Sequence, residues 1–144
     1  MVLMVGISAT AGAWDHDSDT FEITANIVRP LELETLEDID FGLITGEIGV
    51  RTEEAEMRVT GTAGEEYEVN WGTPVEGNQV VIDQTNGDGE LVVDLNVEDV
   101  TPIGENSEDY FNVVATIDEA NNAPIDEIDG DYSEEVIIEV TYAD

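Results

Sequence analysis

Residues 26–46 read NIVRPLELETLEDIDFGLITG. Leu31 and Leu33 alternate with glutamates, and Ile39, Phe41 and Leu43 stand two apart among acids. A period of two places successive side chains on opposite faces of a strand. The spacing therefore predicts Ile39, Phe41 and Leu43 on a dry face, with Asp38 and Asp40 in water. Phe41 can bury a ring while Gly42 lets the backbone bend or bulge beside it. Arg29-Pro30 interrupts the ladder, because proline donates no hydrogen bond. Residues 18–28 and 31–36 are thus read as two strands, or as one that changes partner.

The same rhythm runs outward in both directions. FEITANI sets Phe21, Ile23, Ala25 and Ile27 on one face, and EMRVTG sets Met57 and Val59. EYEVNW gives Tyr67, Val69 and Trp71; QVVID follows; ELVVDLNV gives Leu91, Val93, Leu95 and Val97. YFNVVATI gives Phe111, Val113, Ala115 and Ile117, and EEVIIEVTY gives Val136, Ile138, Val140 and Tyr142. Glycine- and asparagine-rich turns separate these runs. NNAPIDEIDGDYSEE reads as a long loop before the last strand. Helical periodicity is almost absent from Trp14 onward. Seven to nine short strands with turns between them predict an all-β, antiparallel sandwich or barrel in one domain over 29–144.

The 144 residues contain 3 Lys+Arg against 36 Asp+Glu, a formal charge of −33. Arg29, Arg51 and Arg58 are the only basic side chains besides His16. No basic stripe can form, which argues against nucleic acid and anionic membrane surfaces. Self-repulsion of this size destabilises a compact state in dilute buffer, and salt near molar strength screens it. The acids are read as adaptation to a saline medium. Disorder is the competing reading of high charge, but 41% of residues are apolar and they are patterned.

MVLMVGISATAGA at the amino end is apolar, then small, and closes on Ala11-Gly12-Ala13. It resembles the apolar region and cleavage site of a secretory signal peptide without the basic start. It is too short to span a bilayer. The expectation is a remnant leader over 1–13 and an exported chain from near Trp14; a buried first strand is the alternative. The chain has no cysteine, which removes disulfides and thiolate chemistry.

Little points to catalysis, and the chain is read as not an enzyme. The sole histidine, His16, lies near the terminus between Asp15 and Asp17, so no Ser/His/Asp set is plausible. GTAGEE lacks the lysine and following helix of a phosphate loop. Only 6% of residues are aromatic, and Trp71 is read as core or rim rather than a sugar platform. Asp83, Asn86, Asp88 and Glu90 look somewhat like a calcium loop, and Asp126, Asp129, Asp131 and Glu134 form a second cluster. With 36 acids in the chain, solvated turns are the preferred reading of both, and no cofactor is expected.

The two ends of the domain can be read together. Pro30, Leu31, Leu33, Asp40, Phe41 and Gly42 near its start resemble a "pLxI…DLdFG" segment. Gly130, Tyr132, Val136, Ile138, Val140 and Tyr142 resemble a closing "G-x-Y-x-x-x-V-x-V-x-V-x-Y" strand, and Ala123 and Pro124 resemble the "A-P" loop that precedes its glycine. Both belong to small secreted pilin-like β-sandwiches, similar to spore-coat-U proteins and archaic chaperone–usher fimbrial subunits. The resemblance implies an immunoglobulin-like, Greek-key sandwich left incomplete beside its last strand, and a groove filled by another subunit's N-terminal strand. It implies a cell-surface filament serving adhesion or biofilm formation, with copies of itself, a periplasmic chaperone and an usher as partners. Asp19–Ile27, within the 14–28 segment, is the candidate donor. Phe21, Ile23, Ala25 and Ile27 would meet Val136, Ile138, Val140 and Tyr142. Pairing within its own domain is the alternative, so cis and trans stay open. The rival reading is a monomeric secreted calcium- or glycan-binding module.

Overall fold

A computed structural model describes residues 16–143. The expected leader over 1–13 and Trp14 lie outside the described residues. The strands are β1 (Glu32–Thr35), β2 (Val50–Thr60), β3 (Tyr67–Trp71), β4 (Gln79–Asp83), β5 (Glu90–Glu98), β6 (Glu108–Asp118) and β7 (Ile138–Tyr142). The long loop before β7 holds a 3₁₀ turn, Glu119–Asn121, and a one-turn helix, α1 (Ile125–Ile128), where the sequence suggested no regular structure. Ile128 is its buried residue and anchors the loop on the core.

Five strands form one sheet in the order β1-β2-β6-β5-β4, and β3 and β7 form a second sheet of two. Every pairing is antiparallel. The chain is mostly β, and its apolar faces meet in a sandwich-like core. The longest ladder joins β2 to β6 from Val50↔Asp118 to Thr60↔Glu108. Its inner face carries Ala55, Met57, Val59, Phe111, Val113, Ala115 and Ile117, all buried, as the alternation requires. Fully burying one such Val, Ile or Phe contributes about 1.5–3 kcal/mol. On the outer face Glu54 and Glu56 lie in water.

One end of this core is closed by close packing. Phe111 and Val59 are 0% exposed and Ile103 2%. The Tyr67 and Phe111 rings lie 6.2 Å apart at a tilt of 46°, within the favoured range for aromatic pairs. The Tyr67 hydroxyl donates to Asp109 Oδ2 at 2.6 Å, so its polar tip is satisfied where the ring is buried. Burial first, and then this bond, push the Tyr67 phenol well above its ordinary range.

Two expectations change. Residues 36–49 form no strand. Ile39 and Phe41 do pack against the core, but Leu43 is 89% exposed. The cause is local: Gly42 adopts φ +63, a left-handed conformation open to glycine, and its N–H donates to Asp40 Oδ1 at 2.8 Å. The turn shifts the inward phase by one residue, so Ile44 and Ile48 pack inward in place of Leu43. The expected strand over 18–28 also makes no ladder. Residues 16–30 run without a strand assignment, with Phe21, Ile23 and Ile27 at 57%, 44% and 91% exposure.

Candidate strand-docking groove

The two sheets differ by three strands, and the difference leaves a groove. Its volume is about 1270 Å³. Its walls come from β5 and β6 (Leu91, Val93, Val113, Ala115, Ile117), from the 37–44 segment, and from Trp71, Val136 and Ile138. Protein interiors are packed about as densely as organic crystals, so among the described residues these apolar walls lack a facing layer. The rim is acidic: Glu37, Asp38, Asp40, Asp129, Asp131, Glu134 and Glu135 border it, without a lysine or arginine.

The start of β7 reaches the groove wall at Ile138, just after Val136, and among the described strands β7 pairs on one side, with β3. Just before β7, the Ile137 N–H donates to the Thr73 carbonyl at 3.1 Å, and the Gly72 N–H donates to the Ile137 carbonyl at 2.7 Å. Just after it, the Ala143 N–H donates to the Glu66 carbonyl at 3.0 Å. Backbone groups in an antiparallel strand alternate sides, so Glu139 and Thr141 also turn toward β3. The N–H and C=O groups of Ile138, Val140 and Tyr142 therefore point away from it. The side chains of these residues, with Val136, are partly buried against the core. The four β7-side residues expected at an interface thus share one edge, offering both apolar side chains and backbone hydrogen-bonding groups. An exposed edge of this kind is a template for an added strand.

The far end of the groove is closed by a stitch that the sequence did not announce. Gln84 Nε2 donates to the Asp129 carbonyl at 2.8 Å, and Gln84 Oε1 accepts from the Gly89 N–H at 3.0 Å. The Thr85 N–H donates to the Asp131 carbonyl at 2.8 Å, and the Tyr132 hydroxyl to the Ile128 carbonyl at 2.7 Å. Nothing in DQTNGDGEL singles out Gln84, because its Asp129 partner lies 45 residues away, in the other acidic loop. Desolvation first, and then the Asp129 charge, raise the Tyr132 phenol.

Those two loops were the calcium candidates. Asp83, Asn86, Asp88, Glu90, Asp126, Asp129, Asp131 and Glu134 are all exposed. Among the described residues no group of three or more His, Cys, Asp or Glu side chains is placed to hold a metal ion. The structure brings the two loops together through Gln84, not through their carboxylates. His16 is exposed at the first described position, and Trp71 is half-buried in the groove wall. No helix among the described residues is long and apolar enough to cross a membrane.

The donor-side residues, Phe21, Ile23, Ala25 and Ile27, lie on the exposed 16–30 arm and do not line the groove. Comparison with protein-family models, curated proteins and solved structures gave no match to this chain.

Proposed function

We propose that the protein is the structural subunit of an extracellular, pilus-like filament, in which the arm of one copy fills the groove of the next. The carrying observation is the pairing of two unfinished parts in one chain: an open edge lined by Val136, Ile138, Val140 and Tyr142, and an unpaired arm bearing Phe21, Ile23, Ala25 and Ile27. Each set puts four inward-type side chains on seven residues, a span of about 23 Å at strand rise. Main-chain bonds to the β7 edge would supply affinity, and the alternating side chains would set the register.

Strand order supports an immunoglobulin-like reading of the sandwich. In that fold one sheet is ordered A-B-E-D and the other C-F-G. Here β1-β2-β6-β5 correspond to A-B-E-D and β3-β7 to C-F, leaving the place of strand G beside β7 for the incoming arm. The resemblance of the terminal motifs to fimbrial subunits supports the same assignment, with export through the leader, a cell-surface location, and a chaperone and usher as assembly partners. Adhesion or biofilm formation would follow from the filament. The acidic rim and the arm's own Asp17, Asp19 and Glu22 repel each other, so assembly belongs in salt; near 1 M the screening length is about 3 Å.

Negative-stain microscopy of the full chain and of a chain lacking residues 14–28 tests the reading, in NaCl at about 0.1 M and above about 1 M. Fibres from the full chain in high salt, and none from the shortened chain, are expected. Fibres from the shortened chain, or a full chain that stays monomeric at every salt concentration, would overturn it.

A further inference from the structure

We propose that Tyr142 is a latch that holds each subunit's arm outside its own groove, leaving that arm available to a second copy; the inference rests on the strand-docking reading above. The arm joins the domain at Arg29-Pro30, and three bonds close a ring there. The Tyr142 hydroxyl donates to the Arg29 carbonyl at 2.5 Å. The Thr62 N–H donates to the Tyr142 hydroxyl at 3.0 Å. The Arg29 N–H donates to Thr62 Oγ1 at 2.7 Å. Both backbone polar groups of Arg29 are thereby used, and Pro30 has no N–H to offer. Gly61 makes room for the ring: a Cβ there would lie 2.7 Å from the Tyr142 hydroxyl and 2.8 Å from Leu31 Cδ2.

The latch also aims the arm. Asn26 Nδ2 lies 3.5 Å from Glu65 Oε1, on the stretch that leads into β3. β3 flanks β7 on the side away from the open edge, so the arm leaves on the wrong side for self-insertion. To enter its own groove the chain must reverse at residues 28–30, which breaks the Arg29 bonds. The arm runs toward its root at Tyr142, and β7 also runs toward Tyr142. Self-insertion would therefore be parallel to β7. A second copy's arm is free to enter antiparallel, the slightly more stable pairing per residue.

The test uses full-length wild type, Tyr142→Phe, Thr62→Val and Thr62→Ser, each checked for native circular dichroism in high salt. Dilute monomers are offered a labelled peptide of residues 19–28, and polymer is measured by sedimentation on concentration. Wild type and Thr62→Ser, which keeps the hydroxyl, are expected to bind the peptide and polymerise. Tyr142→Phe and Thr62→Val are expected to raise the share of closed monomers, which refuse the peptide, about tenfold, the factor that one or two neutral hydrogen bonds supply. If Tyr142→Phe fails to fold, Thr62→Val carries the test. Peptide uptake and polymerisation equal to wild type in the hydroxyl-lacking variants would overturn the latch and leave the docking reading standing. Refusal of the peptide by wild type itself would overturn the docking reading, and the latch with it.

Discussion

At the Tyr67 end of the sandwich, Val59, Phe111, Ile103 and the Tyr67 ring fill the space between the sheets. At the Trp71 end, half-buried Phe41, Trp71, Val136 and Ile138 border a groove instead. The same strands supply both ends, with the same inward alternation. The difference is in what covers them. Beyond Ala55, the β2 positions on the inner face become Glu53, opposite Ala115, and Arg51, opposite Ile117. β1 stops at Thr35↔Met57, and β7 has no outer neighbour among the described strands. Inward patterning makes a face, but a core also needs a second face of equal width, and the described strands do not supply one at this end.

The comparison can be broken most forcefully at the closed end. Phe111→Ala is expected to cost about 3–5 kcal/mol in denaturant unfolding, from lost burial plus the cavity left behind. Trp71→Ala, at the open end, is expected to cost clearly less despite removing a larger side chain. Equal losses would mean that both ends are packed alike.

The next largest effect should come from filling the groove. The peptide of residues 19–28, at about one hundred times its dissociation constant, should stabilise the protein by about 2.7 kcal/mol. Differential scanning calorimetry in high salt reads this as a rise in Tm. No rise at any peptide concentration would mean that the groove does not accept this strand.

A smaller effect concerns Tyr67. Its neutral phenol is favoured in the folded state, so its contribution to stability is complete below the ordinary tyrosine value of 10.0. That contribution is lost as the pH rises above this value toward the folded one. The denaturation midpoint should fall above pH 10.0 more steeply in wild type than in Tyr67→Phe; Tyr132, also raised, adds to the slope in both. Below that pH, Tyr67→Phe should cost about 0.5–1.5 kcal/mol for the bond to Asp109, which keeps its Thr101 hydroxyl partner at 2.8 Å. A variant with an unchanged alkaline slope would remove Tyr67 from the account.

The smallest effect is expected on the outer face. Arg58 pairs with Glu34 across β1 and β2, and the Glu34 bond, followed by its charge, raises the guanidinium further. Exposed pairs are weak and screened. Glu34→Gln should leave the unfolding midpoint in high salt unchanged within error; a measurable loss there would show that this edge depends on the pair.

What was legible in the sequence was local. The alternation in β2, β5 and β6 picked out Met57, Val59, Val93, Leu95, Phe111, Val113, Ala115 and Ile117, all buried, because a half-buried strand shows its period within a few residues; Leu91 and Val97, picked by the same rhythm, are half-buried, and buried Ala55 was missed. The Asp40-Phe41-Gly42 stretch misled at Leu43: glycine's freedom was visible, but not that it would be used to turn the chain and move Ile44 inward. The arm's apolar rhythm was visible, while its lack of a partner in its own domain was not, because pairing is set by strands far apart in sequence. The β7 edge depends on strand order. The Gln84 stitch joins two loops that each resembled an ion site in an acid-rich chain. The Tyr142–Arg29 bond spans 113 residues, and no local signal foretells it.

The most direct measurement exploits the absence of cysteine from the chain. Two singly substituted copies are mixed in high salt under mild oxidation: one carries Ile23→Cys or Ala25→Cys on the arm, the other Val136→Cys, Ile138→Cys or Val140→Cys on the groove. Each disulfide between them must join two molecules. The expected result is a covalent dimer for the register-matched pair, growing into a ladder when doubly substituted copies are used, with little dimer one residue out of register. No cross-link at any pairing, in solutions where the protein is folded and associated, would contradict the claim that one copy's arm completes the next.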